Sequence, residues 1–173
     1  VYRPCDINET FYSWMDAISS NHASVIALSR QDLKVLTKIG KVFDKKLVNI
    51  GAQIVWGNLK GRDATILSSG SEVEVAVSAS KELLTKGINV TVVSIPCLEN
   101  FLDKSIAHRK SILGNAPILS IEAGISLGWR SFLDDFKNVV SVESFGSSAP
   151  KDDLYKHYKI TKQEVIRKVK KII

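Results

Sequence analysis

The sequence predicts an α/β protein: a three-layer α/β/α C-terminal domain with a mostly parallel sheet, preceded by a partial α/β domain. Three observations predict it. From Asp63 to Ile173, short apolar runs alternate with segments of helical periodicity, the order of strands joined by helical crossovers. Several of those runs are almost continuously apolar, as strands covered on both faces are. The stretch before residue 58 reads only as turn, helix and strand, the closing part of a domain rather than a whole one.

The elements follow in order. Arg3-Pro4-Cys5-Asp6 is a turn, because proline fixes φ and offers no donor. Asp6 or Asn8 can cap the helix after it, in which Phe11, Met15 and Ile18 share a face with Trp14 beside them. Asn21-His22-Ala23-Ser24 breaks that helix, and Val25-Ile26-Ala27-Leu28 reads as a strand buried on both faces. Residues 32–62 are irregular and basic, with Lys34, Lys38, Lys41, Lys45 and Lys46. Within them, Ala52-Gln53-Ile54-Val55-Trp56 reads as a strand at a sheet edge. The expected division is a partial domain over 1–57, a linker over 58–62 and an α/β domain over 63–173.

In the second domain, Ala64-Thr65-Ile66-Leu67-Ser68 is a strand, Ser69-Gly70-Ser71 a tight turn and 72–86 a helix closed by Gly87. Strands follow at 89–95, ended by Pro96, at 117–121 and at 139–142, with a helical region between Phe101 and Gly114. Lys151 to Tyr158 is a short helix. The last helix opens on Thr161 and Glu164, a capping box, and its stripe is Val165, Ile166, Val169, Ile172 and Ile173. Right-handed crossovers are expected between the parallel strands.

Composition narrows the function classes. The net charge is +6, but residues 151–173 hold eight Lys/Arg against three acids, so the tail carries +5 of it. A basic helix without interleaved aromatics reads as a solvated face, so no nucleic-acid partner is expected. No apolar run is long enough for a membrane span, so no membrane partner is expected either. Cys5 and Cys97 have no ligand spacing, which points to buried thiols and a reducing, cytoplasmic setting. The opening Val1-Tyr2-Arg3-Pro4 reads as the middle of a longer chain.

Four places could carry chemistry. The turn Ser69-Gly70-Ser71 precedes a helix and could hold an anion, but Glu72 and Glu74 would repel a phosphate, and a capped turn is the plainer reading. Glu122 follows a strand at its carboxyl end, where ligand crevices of open α/β sheets lie, but it has no visible partner, and Trp129, seven residues on, reads equally well as packing. His22, His108 and His157 show no recurring spacing and read as surface residues. Arg30, just past the apolar run 25–28, carries a fork shaped for phosphate or carboxylate; pairing with Asp6 or Asp32 is the equal alternative.

Several of these segments, taken in order, go further. Arg3-Pro4-Cys5-Asp6, Ala27-Leu28-Ser29-Arg30-Gln31, Gly70-Ser71-Glu72-Val73, Val93-Ser94-Ile95-Pro96-Cys97, Glu122-Ala123-Gly124, Gly128-Trp129 and Phe145-Gly146-Ser147-Ser148-Ala149-Pro150 together resemble the last third of transketolase. The resemblance runs the whole chain. The Ser-Arg-Gln element favours transketolase over other thiamine-dependent enzymes such as deoxyxylulose-phosphate synthases. The family's proline soon after Ser-Arg-Gln is replaced here by Asp32-Leu33-Lys34.

The resemblance implies a homodimeric transferase that moves a two-carbon ketol unit between sugar phosphates in the pentose phosphate pathway, using thiamine diphosphate and Mg²⁺. Residues 1–57 would close the pyrimidine-binding domain, and 63–173 would be the third domain. The arginine of Ser-Arg-Gln binds the sugar phosphate, which transfers to Arg30, with Ser29 and Gln31 positioning it. The family's catalytic, cofactor-binding and metal-ligating residues lie upstream, so none is assigned here, and this chain alone is expected to bind no cofactor and to be inactive. The alternative is a non-catalytic binding or regulatory α/β domain.

Overall fold

A computed structural model describes residues 1–36 and 51–173. Lys38, Lys41, Lys45 and Lys46, read above as part of a basic irregular segment, lie outside the described residues. Five strands form one sheet: β1 (Gln53–Trp56), β2 (Ala64–Ser68), β3 (Val90–Ser94), β4 (Ile118–Ile121) and β5 (Val139–Val140), in the order β1-β3-β2-β4-β5. The four strands β2 to β5 run parallel, and β1 pairs antiparallel with β3 at the edge. The mostly parallel α/β sheet expected from the sequence is present.

Every residue of β2, β3 and β4 is buried, which is why their sequence is continuously apolar with hydroxyls between. Alternate residues serve opposite layers. Ile66, Val92 and Leu119 face α2 (Glu72–Leu84) and the last helix, α6 (Lys162–Ile172), through Val73, Ala76, Val77, Leu83, Val165 and Val169. Leu67 and Val93 face the other way, onto Phe101 of α3 (Leu98–Leu102), Leu113 of α4 (Ile106–Leu113) and Trp129 and Phe132 of a 3₁₀ turn at Ser126–Phe132. The inner hydroxyls find carbonyls: Thr65 donates to Leu113 at 3.0 Å and Ser68 to Ile121 at 3.1 Å. Each avoids the cost of a buried unpaired polar group.

The edge strand is seated by one glycine. Gly51 has φ +74°, and a Cβ there would stand 2.5 Å from the Phe101 nitrogen and 2.7 Å from the Cys97 carbonyl oxygen. Only glycine lets the chain enter β1 so close to α3.

The first segment lies across the carboxyl ends of the parallel strands. The Arg3 amide donates to the Pro96 carbonyl at 2.7 Å, and the Gly70 amide donates to the Arg3 carbonyl at 2.9 Å. Helix α1 (Ile7–Ser19) is capped by Asp6, which accepts from the amides of Asn8 and Glu9, both at 3.0 Å. Its buried residues are polar, Glu9 and Ser13, while Phe11, Met15 and Ile18 remain 49%, 45% and 74% exposed. The amphipathic face read from the sequence therefore points away from the sheet. Residues 25–28 differ from expectation too. Ile26 makes a single parallel bridge with Tyr2, and Val25 and Leu28 are exposed. With one bridged neighbour among the described residues, and Val25 and Leu28 exposed, that apolar run is not buried on both faces.

Candidate functional site

Two features occupy the carboxyl end of the sheet, and the first is a buried ion-pair network. Glu122, directly after β4, and Glu72, in the first turn of α2, are both almost fully buried. The Arg3 guanidinium reaches both: its Nη1 donates to Glu122 Oε2, and its Nη2 to Glu72 Oε2 at 3.3 Å. Trp129 Nε1 donates to Glu122 Oε2 at 3.1 Å. The other oxygen of Glu72, Oε1, accepts from Ser71 Oγ at 2.6 Å and Tyr155 hydroxyl at 2.5 Å. Burial opposes the Arg3 charge, but the bonds and proximity of Glu122 and Glu72 outweigh it and hold the guanidinium pKa above its ordinary value. Burial, with Glu72 beside it, pushes the Tyr155 hydroxyl pKa up, so it stays a donor.

This network corrects three expectations. Glu122 has a partner after all, in the residue 119 positions earlier in the chain. Trp129 is more than packing, because its indole N–H is spent on that carboxylate. The turn at 69–71 is neither an open anion cradle nor a side-chain-capped turn. Gly70, at φ +58°, gives its N–H to Arg3, and Ser71 bonds Glu72 instead of capping the helix. Arg3 itself escaped the sequence reading. The available signal was two acids, one just past β4 and one in the first turn of α2, which once buried demand a cation.

The second feature is an open cleft of about 720 Å³ between the first segment and the sheet domain. Arg30 and Gln31 line one side; Ser148, Lys151, Leu154 and Tyr155 line the other. Ser29 shapes the approach, its Oγ accepting from the Gln31 amide at 3.1 Å. Arg30 is exposed, and Asp6, one of its two sequence candidates for a partner, caps α1 and accepts from the Leu36 amide at 2.9 Å. Among the described residues, no carboxylate lines this cleft. It therefore presents two cations, Arg30 and Lys151, to whatever enters.

Other candidates do not converge. His22, His108 and His157 stand apart, and among the described residues no three His, Cys, Asp or Glu side chains are placed to hold a metal ion. Cys5 and Cys97 are free and buried, and burial raises both thiol pKa values. Among the described residues, no helix is long and apolar enough to cross a membrane.

A family profile for the Transketolase-like TK C-terminal domain matches residues 51–161. The chain belongs to the transketolase family. It is 41% identical over 168 residues to a transketolase of Sinorhizobium medicae, covering 96% of this chain and 24% of that protein. A solved transketolase from Leishmania mexicana superposes with a TM-score of 0.85 at 35% identity, over 99% of this chain and 24% of that one. A Pichia stipitis transketolase in complex with sedoheptulose 7-phosphate gives a TM-score of 0.86 at 31% identity, over 99% of this chain and 24% of that one. The chain thus spans about a quarter of the length of the transketolases it matches, and the Arg30 cleft lies in that quarter.

Proposed function

We propose that this chain is the substrate-phosphate edge and closing structural part of a thiamine-diphosphate-dependent transketolase, which transfers a two-carbon ketol unit between sugar phosphates in the pentose phosphate pathway. The observation that carries the reading is the Arg30 cleft: two cations, no lining carboxylate among the described residues and a transketolase fold. A sugar phosphate carries about two negative charges near neutral pH and matches that surface. Arg30 is the binding residue, and the Ser29–Gln31 turn aims it.

In this reading residues 1–57 close the pyrimidine-binding domain, 58–62 join, and 63–173 form the third domain, with β1 as the edge strand that reaches across the joint. The exposed face of α1, carrying Trp14, Met15 and Ile18, seats the rest of the pyrimidine-binding domain, since apolar patches of this kind mark contact surfaces. The complete protein works as a cytoplasmic homodimer. Thiamine diphosphate and Mg²⁺ supply carbanion chemistry there, but the residues described here do not fit them. No acid cluster suits the metal, and Glu72 and Glu122 are committed to Arg3. The groups that hold the cofactor belong to the remainder of the protein.

Assaying ketol transfer from xylulose 5-phosphate tests the reading. With thiamine diphosphate and Mg²⁺ supplied, the chain alone is expected to show no turnover; measurable turnover overturns the division of labour. In the complete protein, Arg30→Ala is expected to raise KM for xylulose 5-phosphate roughly ten- to hundredfold, the worth of one charge-assisted contact, with kcat largely kept. An unchanged KM removes Arg30 from the site.

A further inference from the structure

The cleft has a second wall, and its chemistry is uneven. Ser71 and Tyr155 look like donors for an anion, but their hydroxyl protons are already directed at Glu72 Oε1, at 2.6 and 2.5 Å. They also lie 3.0 Å from each other, so the pair forms a closed cluster around one carboxylate oxygen. Glu72 is in turn held by Arg3. Arg3 is shared with Glu122, so it offsets only part of the Glu72 charge, and Glu72 itself does not line the cleft. The acids that follow Lys151, Asp152 and Asp153, are exposed and also do not line it. The charge left on this wall is Lys151.

Lys151 is placed, not merely nearby. It is half-buried, and its Nζ sits 5.3 Å from the centroid of the Tyr155 ring. A ring face holds an ammonium by its quadrupole without neutralising it. The ring is itself fixed by the bond from its hydroxyl to Glu72. Across the opening, Arg30 belongs to the first segment. Two cations that form no ion pair among the described residues, facing one opening, suit an anion carrying about two charges better than one carrying a single charge.

We propose that Lys151 is a second binding residue for the substrate phosphate, so that a sugar phosphate bridges Arg30 on the first segment and Lys151 on the sheet domain. The inference rests on the reading of Arg30 as a phosphate-binding residue. It adds a discriminating group: Lys151 favours phosphorylated over unphosphorylated substrates, with Arg30 giving the planar fork and Lys151 a point charge. It also gives the third domain a direct part in substrate selection, with the Arg3–Glu72–Tyr155 network as the brace that keeps Lys151 facing the cleft.

The test uses the complete protein and compares xylulose 5-phosphate with xylulose as ketol donor. Lys151→Ala is expected to raise KM for the phosphorylated donor about three- to tenfold, leaving kcat and the parameters for xylulose unchanged. Lys151→Arg, which keeps the charge, is expected to restore most of the loss, and inorganic phosphate should inhibit the alanine variant more weakly. If Arg30→Ala raises KM and Lys151→Ala does not, the bridge is overturned while the Arg30 reading stands. If neither variant changes KM, both fall. Equal losses for both donors, or a loss that arginine does not restore, would make Lys151 a structural residue and overturn the bridge.

Discussion

Replacing Arg3 by methionine is expected to lower stability by about 3 kcal/mol, a drop in Tm of about 6–12 °C for a chain of this size. The reason lies in what is left behind. Glu122 and Glu72 are 5% and 1% exposed, and Arg3 is the cation that pairs with both. Removing one partner of a buried pair leaves uncompensated charge, which typically costs about 3–5 kcal/mol. Arg3 is itself 37% exposed, so water can replace part of its work, and the low end of that range applies. The backbone bonds of Arg3 to Pro96 and Gly70 remain possible, so the first segment is expected to loosen rather than leave. Hydrogen exchange should report this as faster exchange across residues 1–31, with the strands β2 to β4 less affected.

The same variant has a functional signature. Without Arg3, Glu72 keeps its hydroxyl donors among the described residues, but the carboxylate that braces the Tyr155 ring beneath Lys151 is less firmly held. A rise in KM for the phosphorylated donor should accompany the loss of stability. Replacing Glu122 by leucine alongside Arg3→Met removes one buried charge together with its partner and should recover part of the stability. A loss below about 1 kcal/mol in the single variant would mean that the pairs are surface-like in strength.

Arg3 also marks where a sequence stops being readable. The strands were legible because burial on both faces writes itself as a continuous apolar run, and β2, β3 and β4 are buried throughout. The caps at Asp6 and Thr161 were legible because a cap is a local bond, spanning two or three residues. The network was not, because its bonds join residues 69, 83 and 119 positions apart, and no periodicity records such a pairing. The run Val25-Ile26-Ala27-Leu28 misled for a related reason. Its composition describes a strand covered on both faces, whereas among the described residues its one backbone bridge is to Tyr2. Arg30 stood out by chemistry at a strand end, but the opposite wall of its cleft, 121 positions on, came only with the fold.

The second large effect concerns Glu9, the buried carboxylate that ties α1 to the edge strand. Its Oε2 accepts from the Cys5 amide at 2.7 Å, and its Oε1 from Gln53 Nε2 at 2.6 Å. Cys5 faces it from its own segment, and Gln53 and Ser94 from β1 and β3. Glu9→Ala strands the buried Cys5 amide and the half-buried Gln53 amide and leaves a gap, a cost of about 2–4 kcal/mol. Charge and bonding can be separated, because burial raises the Glu9 pKa above its unfolded value despite the donors. A raised carboxyl pKa means the folded state holds the proton more tightly. The penalty is absent below the unfolded value of about 4.3, grows as pH rises through the interval, and is complete above the folded pKa. Paired carboxylates act the other way: Glu82, lowered to about 2 by its bonds to Lys86 and Lys162, contributes stability that is lost on acidification. Overall stability therefore mixes both signs, and the contrast with Glu9→Gln isolates one. Glutamine keeps an acceptor for the Cys5 amide, and the Gln53 amide can turn to present its oxygen to the new NH₂. Glu9→Gln is expected to be at least as stable as the parent at pH 8, with an advantage that shrinks toward pH 4.5. Denaturant unfolding of both proteins across that range measures it. A glutamine variant that is less stable at pH 8, with a gap that does not vary with pH, would show that the carboxylate is held by its bonds alone and that burial exacts no charge penalty.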